Sequence, residues 1–231
     1  MSANPQQRPL NPSKVSATGH IDFAGRESQE LIIGFSGAIG CGMASVTPVV
    51  TTLLENAGYT VKHLKLSKII ERMLDTGQIP EWNEALIADS NRYEKLQLAG
   101  NKLRSKIRAD FLAEISIAVI SMLRLRELSE GSTPKSAAVT ESIPSRTAYL
   151  VDQLKHPDEV RLLRTVYGNL FYLIGVLTGE GQRRKNLSAE LTAQQVTSVM
   201  VRDRQDEDDS GQQLDKTHET CGLFFAEQPS K

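Results

Sequence analysis

A short apolar run that ends in a cluster of glycines constrains this fold more than any other feature. Residues 31–35 are apolar, and the cluster comprises Gly34, Gly37, Gly40 and Gly42. Apolar residues then recur at three- and four-residue steps over 46–54, which predicts a helix that Gly58 ends. Residues 59–64 alternate apolar and polar side chains, as a second strand does. The chain therefore opens with a predicted βαβ unit, whose two strands lie parallel.

The rest of the chain continues this alternation of strands and helices. Ser67 is predicted to cap a helix over 69–74, and residues 84–128 are mostly helix-forming. Pro157 and Gly168 mark the ends of another helix, and one more is predicted over 191–202. Further strands are predicted at 148–151, 170–176 and 223–226, with a loop at 178–185 that contains glycines and arginines. This pattern predicts an α/β fold of three layers, αβα, around a parallel sheet of about five strands.

Length and composition limit the domain organisation and the class of partner. The 231 residues suit one domain, which we place at 31–226, after a disordered lead-in at 1–30 and before a polar tail at 227–231. Lysine and arginine number 27 against 28 acids, a balance that argues against binding to duplex nucleic acid. Cys41 and Cys221 are far apart and form no zinc motif, which fits a reducing cytoplasm. No stretch predicts a signal peptide or a membrane span.

The glycine cluster fits most of a phosphate-binding motif. Gly37 and Gly42 have the spacing of the P-loop frame G-x-x-x-x-G-K-[ST], but Met43 and Ala44 replace its lysine and hydroxyl residue, and Ser45 lies one position late. Backbone N–H groups and a helix N-terminus would still attract phosphate, whereas the groups for phosphoryl transfer are missing. The predicted phosphate-binding residues are Gly37, Ala38, Ile39, Gly40, Cys41, Gly42, Met43, Ala44 and Ser45. The alternative is a tight turn that binds no ligand.

Other charged residues are candidates for the same pocket. Asp152 ends a predicted strand, where a P-loop kinase places a carboxylate near magnesium-bound water, although it could also cap the following turn. Arg104 lies in a predicted helix and could hold phosphate through its forked guanidinium. Arg183 and Arg184 follow two glycines, where a kinase of this architecture forms a lid over the phosphates. Each arginine could equally lie on a solvated surface. Residues 202–209 have mixed charge and suggest a solvated linker.

Several segments, taken in order, resemble one known family. They are residues 33–40 (IGFSGAIG), 92–97 (RYEKLQ) with 99–104 (AGNKLR), 149–160 (YLVDQLKHPDEV), 163–164, 167–168, 171–176 (FYLIGV), 202–203, 211–213 and 217–218. This set resembles the P-loop, nucleoside-kinase-like front domain of bacterial anti-phage dCTP/dCMP deaminases. In that family a zinc deaminase domain follows, the full protein depletes deoxycytidine nucleotides during phage infection, and the front domain is thought to regulate this activity.

The sequence departs from that family in lacking a deaminase site. A zinc deaminase needs H-x-E followed by P-C-x-x-C. The four histidines are followed at two residues by Asp22, Lys65, Asp158 and Thr220, and no P-C-x-x-C occurs. We therefore expect no zinc and no catalytic residues. The chain would be a stand-alone sensor subunit, a truncated gene product or a cut fragment.

Three hypotheses for function remain open. The leading one is a regulatory domain that binds ATP or a deoxynucleotide, forms a homo-oligomer and governs a deaminase domain or chain; the altered loop leaves magnesium binding in doubt. The second is an active nucleoside or deoxynucleoside monophosphate kinase. The third is an interaction module whose pocket is vestigial.

Overall fold

The computed structural model of the protein describes residues 30–83, 90–131, 146–205, 217 and 223–226. Within these residues, five parallel strands form one sheet in the order β2-β3-β1-β4-β5. The strands are β1 (Leu31–Gly37), β2 (Thr60–Lys65), β3 (Thr147–Asp152), β4 (Phe171–Leu177) and the short edge strand β5 (Leu223–Ala226). The predicted α/β class and the parallel sheet are therefore confirmed.

Helices cover both faces of this sheet. They are α1 (Met43–Asn56), α2 (Leu66–Asp75), α3 (Arg92–Lys106), α4 (Phe111–Gly131), α5 (Pro157–Tyr167), α6 (Glu180–Leu187) and α7 (Ala193–Gln205). Alternate residues of one strand face opposite layers, as the pleat requires. Ile32 packs with residues of α2 to α5, whereas Leu31 and Ile33 pack with Val50 of α1. Alternate side chains of β1 thus pack against helices on opposite faces of the sheet, which gives the predicted three layers.

Two local predictions were wrong. Ser67 does not cap a helix: β2 runs directly into α2, so Lys65 is the residue before the first helical turn. The predicted loop at 178–185 contains α6, a largely polar helix that buries only Leu187 and therefore shows no apolar periodicity. The prediction that 84–128 is mostly helical is confirmed over its described residues, which form the two helices α3 and α4. Residues 84–89 lie outside the described part. No glycine or proline marks the break between α3 and α4, where the backbone carbonyl of Asp110 accepts the N–H groups of Ala113 and Glu114.

The start of the domain also differs from the prediction. Glu30, assigned to the disordered lead-in, is buried and accepts two hydrogen bonds from Arg124 at 2.9 and 2.7 Å. The ordered fold therefore includes this residue, while residues 1–29 and 227–231 lie outside the described ranges. Within the described residues, no helix has both the length and the apolar content needed to cross a bilayer.

The strand order determines where a ligand would bind. From β1 the chain crosses through α1 to β2 on one side of the sheet, and from β3 it crosses through α5 to β4 on the other. Open parallel sheets bind ligands where such crossovers diverge, beyond the carboxyl ends of the strands. The loops after β1 and β3 lie at that point.

Candidate functional site

Two glycines with left-handed backbone shape the loop between β1 and α1. Gly40 and Gly42 have φ of 75° and 81°, a left-handed conformation that costs other residues energy. Gly42 precedes α1, and no side chain caps this helix. The first N–H groups of a helix have no intrahelical acceptor and carry partial positive charge. The predicted strand-to-helix junction is therefore present, and no side chain caps the helix that follows it.

A cavity of about 1000 Å³ opens onto this helix end. Its volume lies at the upper end of the usual range for small-molecule sites. The predicted site residues that line it are Ile39, Gly40, Cys41, Gly42, Met43, Ala44, Ser45, Arg104 and Asp152. The structure thus brings most of the predicted phosphate-binding residues to one pocket.

Three lysines give the cavity wall positive charge. Lys65, Lys68 and Lys185 line the cavity, and none forms an ion pair with another described residue. Other cations of the lining are neutralised: Arg92 pairs with Glu71, and Arg104 pairs with Glu159. Sequence reasoning missed these lysines as a group, because they come from β2, α2 and α6 and share no motif.

The residues that replace the P-loop lysine and hydroxyl have different surroundings. Met43 is 7% exposed and packs with Phe35 in the core beneath α1, whereas Ala44 and Ser45 are exposed. The nearest lysine comes from another element: Lys155 Nζ donates to Gly37 O at 2.7 Å. Lys155 therefore lines the cavity, but its ammonium is already bound to a loop carbonyl and to Asp203.

A buried carboxylate, Asp203 of α7, is bound to the loop. Its side chain is 3% exposed. Its Oδ2 accepts from Ile39 N at 2.8 Å and from an Arg183 terminal nitrogen at 3.1 Å. Its Oδ1 accepts from Lys155 Nζ at 3.3 Å. Sequence reasoning placed Asp203 in a solvated linker, because only the tertiary fold brings α7 to a loop 164 residues away.

The two arginines predicted to form a lid separate. Arg183 Nε donates to Ile39 O at 2.7 Å, and Arg183 lies outside the cavity lining. Arg184 is exposed, pairs with Glu180 at 2.9 Å and lies outside the cavity lining. Consecutive residues of a helix point about 100° apart, so α6 can present only one of them to the loop. Gly37 and Ala38 also lie outside the lining, and their carbonyl oxygens accept from Lys155 Nζ and Cys41 N.

Asp152 lies at the end of β3, as predicted. One of its oxygens is 3.6 Å from His63 Nε2, and the other is buried without a hydrogen-bond partner. A P-loop magnesium site would add a hydroxyl from the loop, but Ala44 occupies that position. Among the described residues, no group of three or more His, Cys, Asp or Glu side chains could hold a metal ion. At Ala44 the loop therefore offers no hydroxyl to a magnesium ion.

Cys41 lies near the N-terminus of α1, where a cysteine pKa usually falls, but its surroundings have the opposite effect. Burial raises the pKa of its thiol, and the opposing effect of Lys155 is smaller. The side chain is 2% exposed and packs in the core beneath the loop. Cys41 is therefore a packing residue.

Arg104 is positioned by a carboxylate at the start of α5. Its side chain is 2% exposed, and Nε and a terminal nitrogen both donate to Glu159 at 2.8 Å. Glu159 is fully buried and also accepts from the backbone N–H of Lys155 and His156. Arg104 thus borders the cavity with its charge neutralised, which makes it a poorer phosphate ligand than the sequence suggested.

Comparisons with known proteins add little to this geometry. No family model matches the sequence, and no curated protein matches it. Among solved structures, the chain is similar to the crystal structure of TT1252 from Thermus thermophilus. The two share 18% sequence identity and a TM-score of 0.43, over 87% of this chain and 90% of that chain. Similarity at this level does not bear on function, so the site is interpreted from its own residues.

Proposed function

We propose that the protein binds a nucleotide by its phosphates at the carboxyl end of the sheet and acts as a regulatory domain, not as a kinase. The observation that carries this proposal is the uncapped N-terminus of α1, which opens into a cavity bordered by three lysines without ion-pair partners among the described residues. Backbone amides and cations together favour a multiply charged anion. The volume of the cavity suits a nucleotide.

The replaced residues argue against phosphoryl transfer. Transfer from ATP depends on a loop lysine at the terminal phosphates and on a hydroxyl that holds magnesium. Met43 is buried in the core, Ala44 has no hydroxyl, and Lys155 donates to a loop carbonyl and to Asp203. Binding without turnover is what a sensor domain requires. The resemblance to anti-phage deaminases supplies the proposed target, a deaminase active site on another domain or chain, and the proposed homo-oligomer.

Calorimetric titration of the full chain with ATP, dCTP, dCMP and dTTP tests the proposal. We expect at least one nucleotide to bind with a micromolar to submillimolar Kd. Lys68→Ala and Lys185→Ala should each weaken it about tenfold, because each removes a charge-assisted contact. Lys95→Ala, which removes the same charge outside the cavity lining, is the matched control. Lack of binding at millimolar nucleotide, or equal losses in all three variants, would refute the proposal.

A transfer assay separates the regulatory hypothesis from the kinase hypothesis. The chain is incubated with ATP, magnesium and each deoxynucleoside monophosphate, and product diphosphate is measured. We expect none above the background of a Gly42→Pro variant. Turnover that responds to Asp152→Asn would instead establish the kinase.

A further inference from the structure

The buried contacts of Asp203 have the composition of an anion-binding site. Its two oxygens accept from a guanidinium, an ammonium and a loop N–H. These are the donors that proteins use to bind phosphate oxygens. The carboxylate itself comes from α7 and belongs neither to the loop nor to the elements that supply the two cations. The three donors therefore lie together at the loop. The anion that they bind here is the carboxylate of Asp203, which α7 supplies.

The cations are held to the loop independently of Asp203. Lys155 Nζ donates to Gly37 O at 2.7 Å, a shorter contact than its 3.3 Å to Asp203. Arg183 Nε likewise donates to Ile39 O at 2.7 Å. Both side chains therefore keep a loop partner if the carboxylate leaves. The remaining site would hold two cations of low exposure, 9% and 12%, which favours an incoming anion.

We propose that Lys155, Arg183 and the Ile39 N–H form a phosphoryl subsite, and that the carboxylate of Asp203 fills it in this structure and competes with the ligand for it. The ligand group is a compact phosphate or pyrophosphate, such as the terminal phosphates of a nucleotide. This inference rests on the proposed function, because the subsite adjoins the same loop and cavity. Competition follows from charge, since a phosphate beside Asp203 would be repelled strongly at low dielectric.

Displacement of Asp203 would move the end of α7. Val196, Val199 and Met200 of this helix pack with Ile39 and with Leu187 of α6 in one apolar cluster. The loop, α6 and α7 thus share both a core and an ionic contact. A ligand that breaks the ionic contact weakens the attachment of the last turn of α7, while the apolar cluster retains its first turns. Ligand binding in the pocket would in this way change how firmly the end of α7 is held.

Titration with inorganic pyrophosphate tests the subsite directly. Asp203→Asn keeps the shape of the side chain and removes its charge, so pyrophosphate affinity should rise about tenfold or more. The matched control is Glu190→Gln, because Glu190 lines the cavity with an exposed carboxylate that accepts from the Tyr93 hydroxyl. We expect a change of no more than about threefold there, as for a screened surface charge. Equal tightening in both variants, or none in Asp203→Asn, would overturn the proposal.

Hydrogen exchange on the unmodified chain gives a test without any substitution. Saturating pyrophosphate should speed amide exchange at 199–205 several-fold and keep the Ile39 amide protected. Binding with unchanged exchange at 199–205 would overturn the displacement of Asp203.

The outcomes also separate the two proposals. Nucleotide binding without tightening in Asp203→Asn refutes the subsite and leaves the proposed function. Tighter pyrophosphate binding without any nucleotide binding supports the subsite and refutes the function. No binding of either probe to either protein refutes both.

Discussion

Two buried carboxylates contact Lys155, and they differ in how the chain holds them. Glu159 accepts the backbone N–H of Lys155 and is fully buried against Arg104. Asp203 accepts Nζ of the same lysine and is nearly as buried, against Arg183. Each of the two carboxylates therefore accepts hydrogen bonds from one arginine and from backbone N–H groups. The amides bound by Glu159 lie within four residues of it, whereas the amide bound by Asp203 is 164 residues away.

This difference in sequence distance gives the two carboxylates different roles. Glu159 completes the capping box of its own helix, α5, so its position follows from local structure. Asp203 reaches the loop only through the packing of α7 against α6 and Ile39. A locally determined contact forms whenever the helix forms, while a purely tertiary contact can be exchanged without unfolding its element. The comparison predicts that Glu159 is structural and that Asp203 is replaceable by a ligand.

The largest expected effect is on stability. Glu159→Ala should lower the free energy of unfolding by about 3–5 kcal/mol, because Arg104 would stay buried without a counter-ion. Asp203→Ala should cost less, about 1–3 kcal/mol, since Lys155 and Arg183 keep their loop carbonyls. Urea unfolding of the two variants, with and without saturating pyrophosphate, measures these losses of unfolding free energy. The anion should recover most of the loss in Asp203→Ala and little of the loss in Glu159→Ala.

Asp158→Ala is the control for the first turn of α5. Its carboxylate lies at the same helix end but is 36% exposed and pairs with the exposed Arg161. We expect a loss of about 0.3–1 kcal/mol, which pyrophosphate does not change. Equal rescue of Asp203→Ala and Glu159→Ala would show that the anion stabilises the fold generally, and the comparison would fail.

A smaller effect is expected at the turn that carries the Ile39 carbonyl. A Cβ at Gly40 would lie 2.8 Å from Arg183 O and 3.0 Å from Leu187 Cγ, so α6 would have to shift. Gly77 has a similar φ, 65°, with nothing within 4 Å of a Cβ. Gly77→Ala should therefore cost about 1–2 kcal/mol from backbone strain alone. Gly40→Ala should cost about 1 kcal/mol more from the collision.

Pyrophosphate affinity of the two glycine variants tests whether the position of α6 controls the subsite. Gly40→Ala should weaken it, because the shift moves Arg183 away from the loop, and Gly77→Ala should leave it unchanged. If both variants bind pyrophosphate like the unmodified protein, the position of α6 does not control the subsite.

Elements with strong periodicity could be predicted from the sequence. The alternation in β2, the helical spacing in α1 and the Pro157 and Gly168 boundaries of α5 each follow from local rules, and the strand-to-helix loop was found from its glycines alone. The helix α6 was missed because only one of its residues is buried, which leaves no apolar pattern. Asp203 was missed for a different reason. Its place at the loop depends on two elements distant in sequence, and no spacing rule encodes such a contact.

The smallest expected effect uses Cys41 as a reporter of the loop. Burial raises the pKa of this thiol, so at pH 8 little thiolate is present and alkylation should be much slower than for a free cysteine. Its sulfur also lies 2.6 Å from a Cβ built at Gly37, which shows how tightly the loop encloses it.

In a Cys221→Ser background, iodoacetamide modification followed by mass spectrometry reports Cys41 alone. Asp203→Asn loosens the loop and should raise the rate several-fold, whereas saturating pyrophosphate should lower it again. The same background with Glu190→Gln should react like the parent. A rate for Cys41 that is insensitive to both Asp203→Asn and pyrophosphate would mean that the loop is held without the carboxylate, and that Asp203, like Glu159, is only structural.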